Sequence, residues 1–237
     1  MLMFSEPLIE GILIKRYKRF FADVRISSGA DSGKVVVSHC PNTGSMASCG
    51  EPNSVVYLSY NNDLKRKLRY TWQYTKVVGG FININTLTAN KIVLDGLNQK
   101  LIPELASYDQ IKPEAKYGGS RIDFLLSSNN QPQCFVEIKN TTMLVGDRLM
   151  FPDAPTTRGQ KHLQELMKIK ADGNRAVLIF LANRPCGQCF EIADSIDPIY
   201  GQLALQAIDA GVEIYCYRAH NTLEGSEISV KVPWYKR

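Results

Sequence analysis

No stretch of this 237-residue chain approaches the ~20 consecutive apolar residues that cross a bilayer, which excludes a helical membrane protein. Met1 to Glu10 lacks the basic start and long apolar segment of a signal peptide, so the expected location is the cytoplasm. The six cysteines form no small secreted framework and fit free thiols in a reducing compartment. A zinc ligand set is lacking too. His39 and Cys40 have no second ligand pair near them. Cys216 and His220 lie on one expected strand, about 13 Å apart at ~3.3 Å per residue, which leaves Cys186 and Cys189 as loop thiols.

What is present is ordinary in bulk and uneven in detail. A hydrophobic fraction of 44% with 22% charged residues describes a globular protein long enough for one large or two small domains. The net charge is +5. Residues 1–80 hold 11 Lys and Arg against 6 Asp and Glu, while residues 81–237 hold 17 of each. The whole surplus is amino-terminal, and a polyanion is the simplest partner for it; plain solubility is the competing explanation.

The amino-terminal segment Ile12 to Ile26 interleaves Lys15, Arg16, Lys18 and Arg19 with Tyr17, Phe20 and Phe21. Such a surface suits phosphate contact with ring stacking on a base, although the same pattern describes core aromatics beneath a solvated strand face. Short strands follow at Lys34 to Ser38, Val55 to Tyr60 and Tyr70 to Val78, with four more bases in Leu64 to Arg69. Several short strands in about 80 residues predict a small OB-like β-barrel. His39 to Gly44 is a turn-rich loop beside it whose amides suit an anion. Gly79-Gly80 marks the expected boundary between domains 1–80 and 81–237.

After that boundary the pattern turns helical, with Thr86 or Thr88 as cap and Ala89, Ile92, Val93 and Leu97 on one face. Gln110 to Tyr117 reads as a strand, and Met143 to Thr157 as a proline-stiffened loop. A helix from about Arg158 to Ala171 is capped by Thr156 or Thr157 and ends at Asp172-Gly173. Arg175 to Ala182 reads as a buried central strand, Ile199 to Gly211 as a helix, and Val212 to Arg218 as a further strand. This order predicts an α/β domain with a mixed central sheet.

The chemistry concentrates in Gly118 to Thr142. Arg121 to Leu126 and Cys134 to Asn140 flank a turn-forming segment, a hairpin signal. With the tip near Asn130, Asp123 faces Glu137 and Arg121 faces Lys139 on one side of the ribbon. Ile122, Phe124, Val136 and Ile138 take the other. Facing carboxylates roughly 5 Å apart repel by about 3 kcal/mol at an effective dielectric of about 20, against ~0.2–1 kcal/mol for a good cross-strand pair. Mg2+, or Mn2+ in its place, offsets that repulsion, and Lys139 then stands beside a metal-held water. Diagonal pairing of two acids with two bases on a solvated face is the competing reading. Glu114 lies close enough in sequence to add a carboxylate.

An Asp followed on the next strand by Glu137-Ile138-Lys139 resembles the motif of the PD-(D/E)xK nucleases. SRIDFLL at 120–126, VEIKNTT at 136–142, FPDAPTTRGQKHLQEL at 151–166 and HCPNTGSM at 39–46 resemble, in order, the sugar fermentation stimulation protein A family. The resemblance covers nearly the whole chain. It implies an amino-terminal OB-like barrel, a PD-(D/E)xK nuclease-like carboxy-terminal domain, and DNA binding. It also implies Asp123, Glu137 and the carbonyl of Ile138 as metal ligands, with Lys139 orienting the attacking water or stabilising the developing charge. Gln160 reaches the site from its helix, as a helical Gln does in related nucleases, with Arg158 and Lys161 on phosphate. The expected function is sequence-nonspecific DNA binding, RNA being an alternative strand, with a Mg2+-dependent phosphodiesterase site. Two alternatives stand beside it: a non-catalytic DNA-binding transcriptional modulator on the same scaffold, and a barrel for another polyanion or a protein. No membrane contact is expected, and a homo-oligomer is compatible with the sequence. The family name links it to sugar utilisation, which no residue here encodes.

Overall fold

The computed structural model describes residues 1–129 and 131–235, so the expected hairpin tip at Asn130 lies outside the described residues. After β1 (Leu2–Met3) come β2 (Ile9–Tyr17), β3 (Phe21–Ile26), β4 (Val35–His39), β5 (Val55–Tyr60), β6 (Tyr70–Val77) and β7 (Gly80–Asn83). A 3-10 turn at Thr86–Thr88 leads into α1 (Ala89–Asn98), followed by β8 (Gln110–Tyr117), β9 (Ser120–Ser127), β10 (Cys134–Thr141), β11 (Met143–Val145) and β12 (Arg148–Phe151). The remaining elements are α2 (Thr157–Ala171), β13 (Arg175–Ala182), β14 (Cys189–Ile192), α3 (Pro198–Asp209), β15 (Glu213–Asn221) and β16 (Gly225–Lys231).

The barrel closes because alternate residues of its strands are apolar and point inward. Leu13, Val24, Val56, Leu58 and Trp72 are fully buried, and the Trp72 indole N–H is satisfied by the Tyr74 carbonyl at 3.0 Å. Strands run in the order β4-β3-β2-β5-β6, and β4 closes on β6 in parallel through Ser38–Tyr70 and His39–Thr71. This is the expected OB architecture. Gly11 lets β2 cross β3 closely, since a Cβ there would sit 2.5 Å from Val24 Cγ1. Gly79-Gly80 does not separate domains. It turns the β6–β7 hairpin, and β7 stays paired with β6 through Asn83.

The second sheet runs β1-β16-β15-β13-β10-β9-β8, parallel from β10 through β13 to β15 and antiparallel elsewhere, so it is mixed as expected. Its centre is β13, whose apolar run packs on both faces. On one face α1 contributes Ile92, Val93 and Leu97 to a core with Val136, Ile138 and Ile179. On the other, α2 and α3 bring Leu163, Leu166, Tyr200 and Ala204 against Phe135, Leu178 and Phe180. β1, an edge strand of two residues, and β16 beside it escaped the sequence reading. So did the small sheet β11-β12-β14, in which β11 and β12 replace the first part of the loop expected over residues 143–157 and β14 starts at Cys189, expected in a loop.

Buried hydrogen bonds join the two sheets. Asn83 N donates to the Asn183 carbonyl at 2.9 Å, and Arg184 Nη1 donates to Thr142 O at 2.7 Å and to Ser48 Oγ at 3.2 Å. α2 starts where Thr156 Oγ1 accepts from Gly159 N at 3.0 Å. Thr156→Ala should cost about 1 kcal/mol of stability by urea denaturation, with Thr156→Ser recovering most of it. An unchanged midpoint for the alanine variant would show that the cap contributes nothing.

Candidate active site

The register of the β9–β10 ribbon is Cys134–Leu126, Phe135–Leu125, Val136–Phe124, and the expected Asp123–Glu137 pair is not part of the ladder. The ladder stops there. Beyond Val136 the amide of Ile138 donates instead to Asp123 Oδ2 at 2.7 Å, so a carboxylate takes the place of a strand partner. Arg121 never faces Lys139; it pairs across β8 with Lys116. The β8–β9 ladder also skips the Glu114–Asp123 position, where Glu114 has a left-handed backbone at φ 53°. Alternation slips at this point. Ile122 packs with the α2 side while Phe124 packs with the α1 side, so the two do not share the face predicted for them. Asp123 is turned toward α1, where Asn90 Nδ2 donates to its Oδ1 at 2.7 Å.

Glu137 is held from α2 instead of sharing with Asp123 the one face expected for both, and the two carboxylates meet only at the cavity that both line. Glu137 Oε1 accepts from Lys139 Nζ at 2.6 Å and lies against His162 Nδ1. Lys139 Nζ is also 3.0 Å from His162 Nδ1, and Arg158 Nε donates to His162 Nε2 at 3.5 Å. Glu137 is 2% exposed, and its second oxygen, Oε2, has no hydrogen-bond partner.

Asp123, Glu137, Ile138 and Lys139 line one cavity of about 710 Å³ between the two domains. Arg19 and Gly44 of the barrel, Leu87 and Lys91 near α1, and Arg158 of α2 contribute to its walls. Burial raises the Asp123 carboxyl above the usual carboxylate range, and the Glu137 charge adds to the rise; the Ile138 amide and Asn90 only partly oppose it. Burial pushes Glu137 upward as well, but the His162 hydrogen bond and the Lys139 charge outweigh it and hold that carboxyl below its ordinary value.

Other expected site residues fare differently. Gln160 is drawn away from the cavity, donating to Asp197 Oδ1 at 2.9 Å, because Asp197 caps α3 and gathers donors there, including Thr156 N at 2.8 Å. His162 takes the position on α2 expected of Gln160. Its spacing, three residues after Gly159 and four before Leu166 on the buried stripe, was the signal available in the sequence. Glu114 lines the cavity but pairs with Arg121 at 3.5 Å, and among the described residues no three His, Cys, Asp or Glu side chains gather as a metal cluster. Lys161 is exposed on α2 and lies outside the cavity lining.

In the barrel, Arg16 is structural. Its Nη2 donates to the carbonyls of Asn42 at 2.8 Å and Gly44 at 3.0 Å, holding the loop expected to receive an anion. That loop is already engaged, since Ser45 N donates to Asp153 Oδ2 at 2.9 Å. Lys15 pairs with Asp23 at 3.5 Å, and Lys18 and Arg19 are exposed at the β2–β3 turn. Cys186 and Cys189 are free thiols, and the remaining described cysteines are buried and unpaired. No helix among the described residues is long and apolar enough to cross a membrane.

A closed five-stranded barrel joined to a mixed sheet that carries Asp, Glu and Lys to one interdomain cavity defines the class: an OB domain coupled to a domain of restriction-endonuclease type. The family model described as the SfsA N-terminal OB domain matches residues 14–84, and that of the sugar fermentation stimulation protein RE domain matches residues 87–225. The chain belongs to the sugar fermentation stimulation protein family. It is 44% identical over 233 residues to the sugar fermentation stimulation protein homolog of Geobacter sulfurreducens, covering 98% of each chain. Identity to the homolog of Geotalea uraniireducens is 47% over 227 residues, covering 95% of this chain and 96% of that one. The structure of Pyrococcus furiosus SfsA in complex with Ca2+ superposes with a TM-score of 0.88 at 29% identity, covering 99% of this chain and 98% of that chain.

The opposed shifts of the two carboxyls give a pH signature. A raised folded-state value means that ionised Asp123 costs stability above that value, and the cost disappears as pH falls through it. Glu137, held low, contributes stability above the unfolded carboxylate value and loses it as pH falls through its own folded value. In chelator, Asp123→Asn should therefore resist urea better than the parent at pH about 8, with the advantage shrinking toward pH about 4, near the unfolded carboxylate range. A parent more resistant than the variant at the higher pH would overturn this account.

Proposed function

We propose that the chain binds DNA without sequence preference and that its second domain is a Mg2+- or Mn2+-dependent phosphodiesterase. The observation that carries the reading is Glu137 Oε2, a buried carboxylate oxygen with no partner, in the cavity that Asp123 also lines. A buried unpaired oxygen beside a second carboxylate is costly, and a hard cation relieves it. Asp123, Glu137 and the carbonyl of Ile138 would hold the ion. Two carboxylates with one carbonyl suit Mg2+, which keeps waters and uses phosphate oxygens for the rest. Ca2+, present in the structure of the Pyrococcus furiosus relative, is likewise an oxygen-seeking cation, which supports a donor set of this kind.

When bound, the metal lowers the pKa of a water and polarises a phosphoryl oxygen. The chain's own residues do the rest. Lys139, 2.6 Å from Glu137 and 3.0 Å from His162, supplies a fixed positive charge where water and developing phosphate charge meet. His162 orients Glu137 Oε1, leaving Oε2 free. Arg19, Lys91 and Arg158 on the cavity walls attract the phosphate backbone, so affinity falls with salt. The names of the curated relatives attach them to stimulation of sugar fermentation; for this chain, a role in regulating sugar utilisation would run through the same DNA contacts.

The test incubates parent, Asp123→Ala and Lys139→Ala with DNA in Mg2+ or Mn2+. The parent should cleave, Asp123→Ala should not, and Lys139→Ala should be slower by about 10²-fold or more. Metal at a hundred times its Kd should stabilise the parent by about 2.7 kcal/mol and leave Asp123→Ala nearly unmoved. Salt-sensitive retention without cleavage of any substrate would make the chain a non-catalytic DNA-binding protein on the same scaffold.

A further inference from the structure

The barrel has an outward face with no role in the site described so far. β2, β3 and β4 bury Leu13, Ala22, Val24 and Ser38, so the alternate residues of these strands face solvent. There Tyr17 and Phe21 are directly opposite in the ladder and stack at 5.6 Å between ring centroids, 17° from parallel. Lys15 Nζ lies 5.5 Å from the Tyr17 ring centre, and the Tyr17 hydroxyl donates to Asp23 at 3.0 Å, which fixes the ring. On β4 the outward residue beside Phe21 is the half-buried His39, and Val37 and Val35, 41% and 57% exposed, follow beside Asp23 and Arg25.

The β2–β3 turn rises directly from this ring pair. Lys18 and Arg19 have φ of 48° and 62°, left-handed conformations that residues with side chains rarely adopt. Arg16 Nη2 holds the turn by donating to Arg19 O at 3.2 Å, and Cys40 N pins Phe20 O at 2.8 Å. The turn therefore presents a 47%-exposed Phe20 ring and sets Arg19 on the wall of the catalytic cavity. Leu87, 69% exposed, lies on the same cavity. Its turn is fixed by Asn85, whose side chain accepts from Leu87 N at 3.1 Å and donates to Gln73 at 2.8 Å.

A half-buried pair of stacked rings and the exposed Phe20 and Leu87, beside cations that end at a phosphodiesterase cavity, suit one form of nucleic acid. In a duplex the base faces are stacked on one another and only the backbone is offered. An unpaired strand offers base faces as well, and these stack on aromatic rings whatever their sequence. We infer that the substrate is an unpaired DNA strand. It lies with bases on the Tyr17–Phe21 face, crosses the Arg19–Phe20 turn, and enters the cavity past Leu87 with its backbone toward Asp123 and Glu137. This inference rests on the phosphodiesterase reading and adds the substrate class to it.

The test measures binding of the full chain, in chelator and at one fixed salt concentration, to an oligonucleotide carrying 2-aminopurine, offered single-stranded or as its duplex. Cleavage of both forms in Mg2+ is followed separately. The parent should bind the single strand at least about tenfold tighter, with a change in 2-aminopurine fluorescence that reports stacking. Phe20→Ala and Leu87→Ser, both at exposed positions, should each weaken single-strand binding by about five- to tenfold and leave duplex binding unchanged. Tyr17→Ala should do the same, and Tyr17→Phe, which keeps the ring, should restore it. Equal or tighter duplex binding, or variants that bind like the parent, would overturn the unpaired-strand assignment while metal-dependent cleavage of duplex left the phosphodiesterase reading standing. No DNA binding in either form, with no cleavage, would bring down both.

Discussion

The amide of Ile138 has to bond to something, and in this structure it bonds to a carboxylate. β9 and β10 pair as far as Phe124 and Val136, and the next inward amide is met by Asp123 Oδ2. An amide left unpaired here would cost about as much as a lost hydrogen bond, so the backbone itself fixes the side chain. The same contact lets the two strands part and sets one acidic group at the parting, with a second on the very next residue outward along β10. Burial of both is electrostatically unfavourable, and the His162–Lys139 pair offsets it for Glu137 alone.

The surrounding elements can be understood by what they bring to that gap. α1 supplies Asn90 and α2 supplies Arg158 and His162, while Asp153 reaches across to Ser45 of the barrel. Arg16 braces the same barrel loop from behind through the carbonyls of Asn42 and Gly44. A segment whose composition suggested an anion site thus has its anion built in, contributed by the other domain.

Much of this was legible from local rules. The strand Arg175–Ala182 was visible as a continuous apolar run, and α2 through its Thr cap and Asp-Gly end. The hairpin register from Cys134 to Val136 followed from turn symmetry. What was hidden depended on competition between distant partners. Gln160 had the right helix and a plausible chemistry, yet Asp197, 37 positions away, offered it a buried carboxylate. Arg16 looked like its neighbours in a basic run, and only the fold reveals four carbonyls waiting for it. The slip of alternation at Asp123 coincides with a left-handed backbone at Glu114, which no propensity foretells for glutamate.

One small strand changes how the whole is put together. Leu2 and Met3 pair with Ser226 and Gly225, at the edge of the carboxy-terminal sheet, before the chain departs to build the barrel. The barrel is therefore nested within the larger domain, which contributes strands on both sides of it in the chain. No single cut in the chain releases the larger domain whole, because its first ribbon would leave with the barrel. The bared edge of β16, freed of its short cover, would then be open to strands from other molecules.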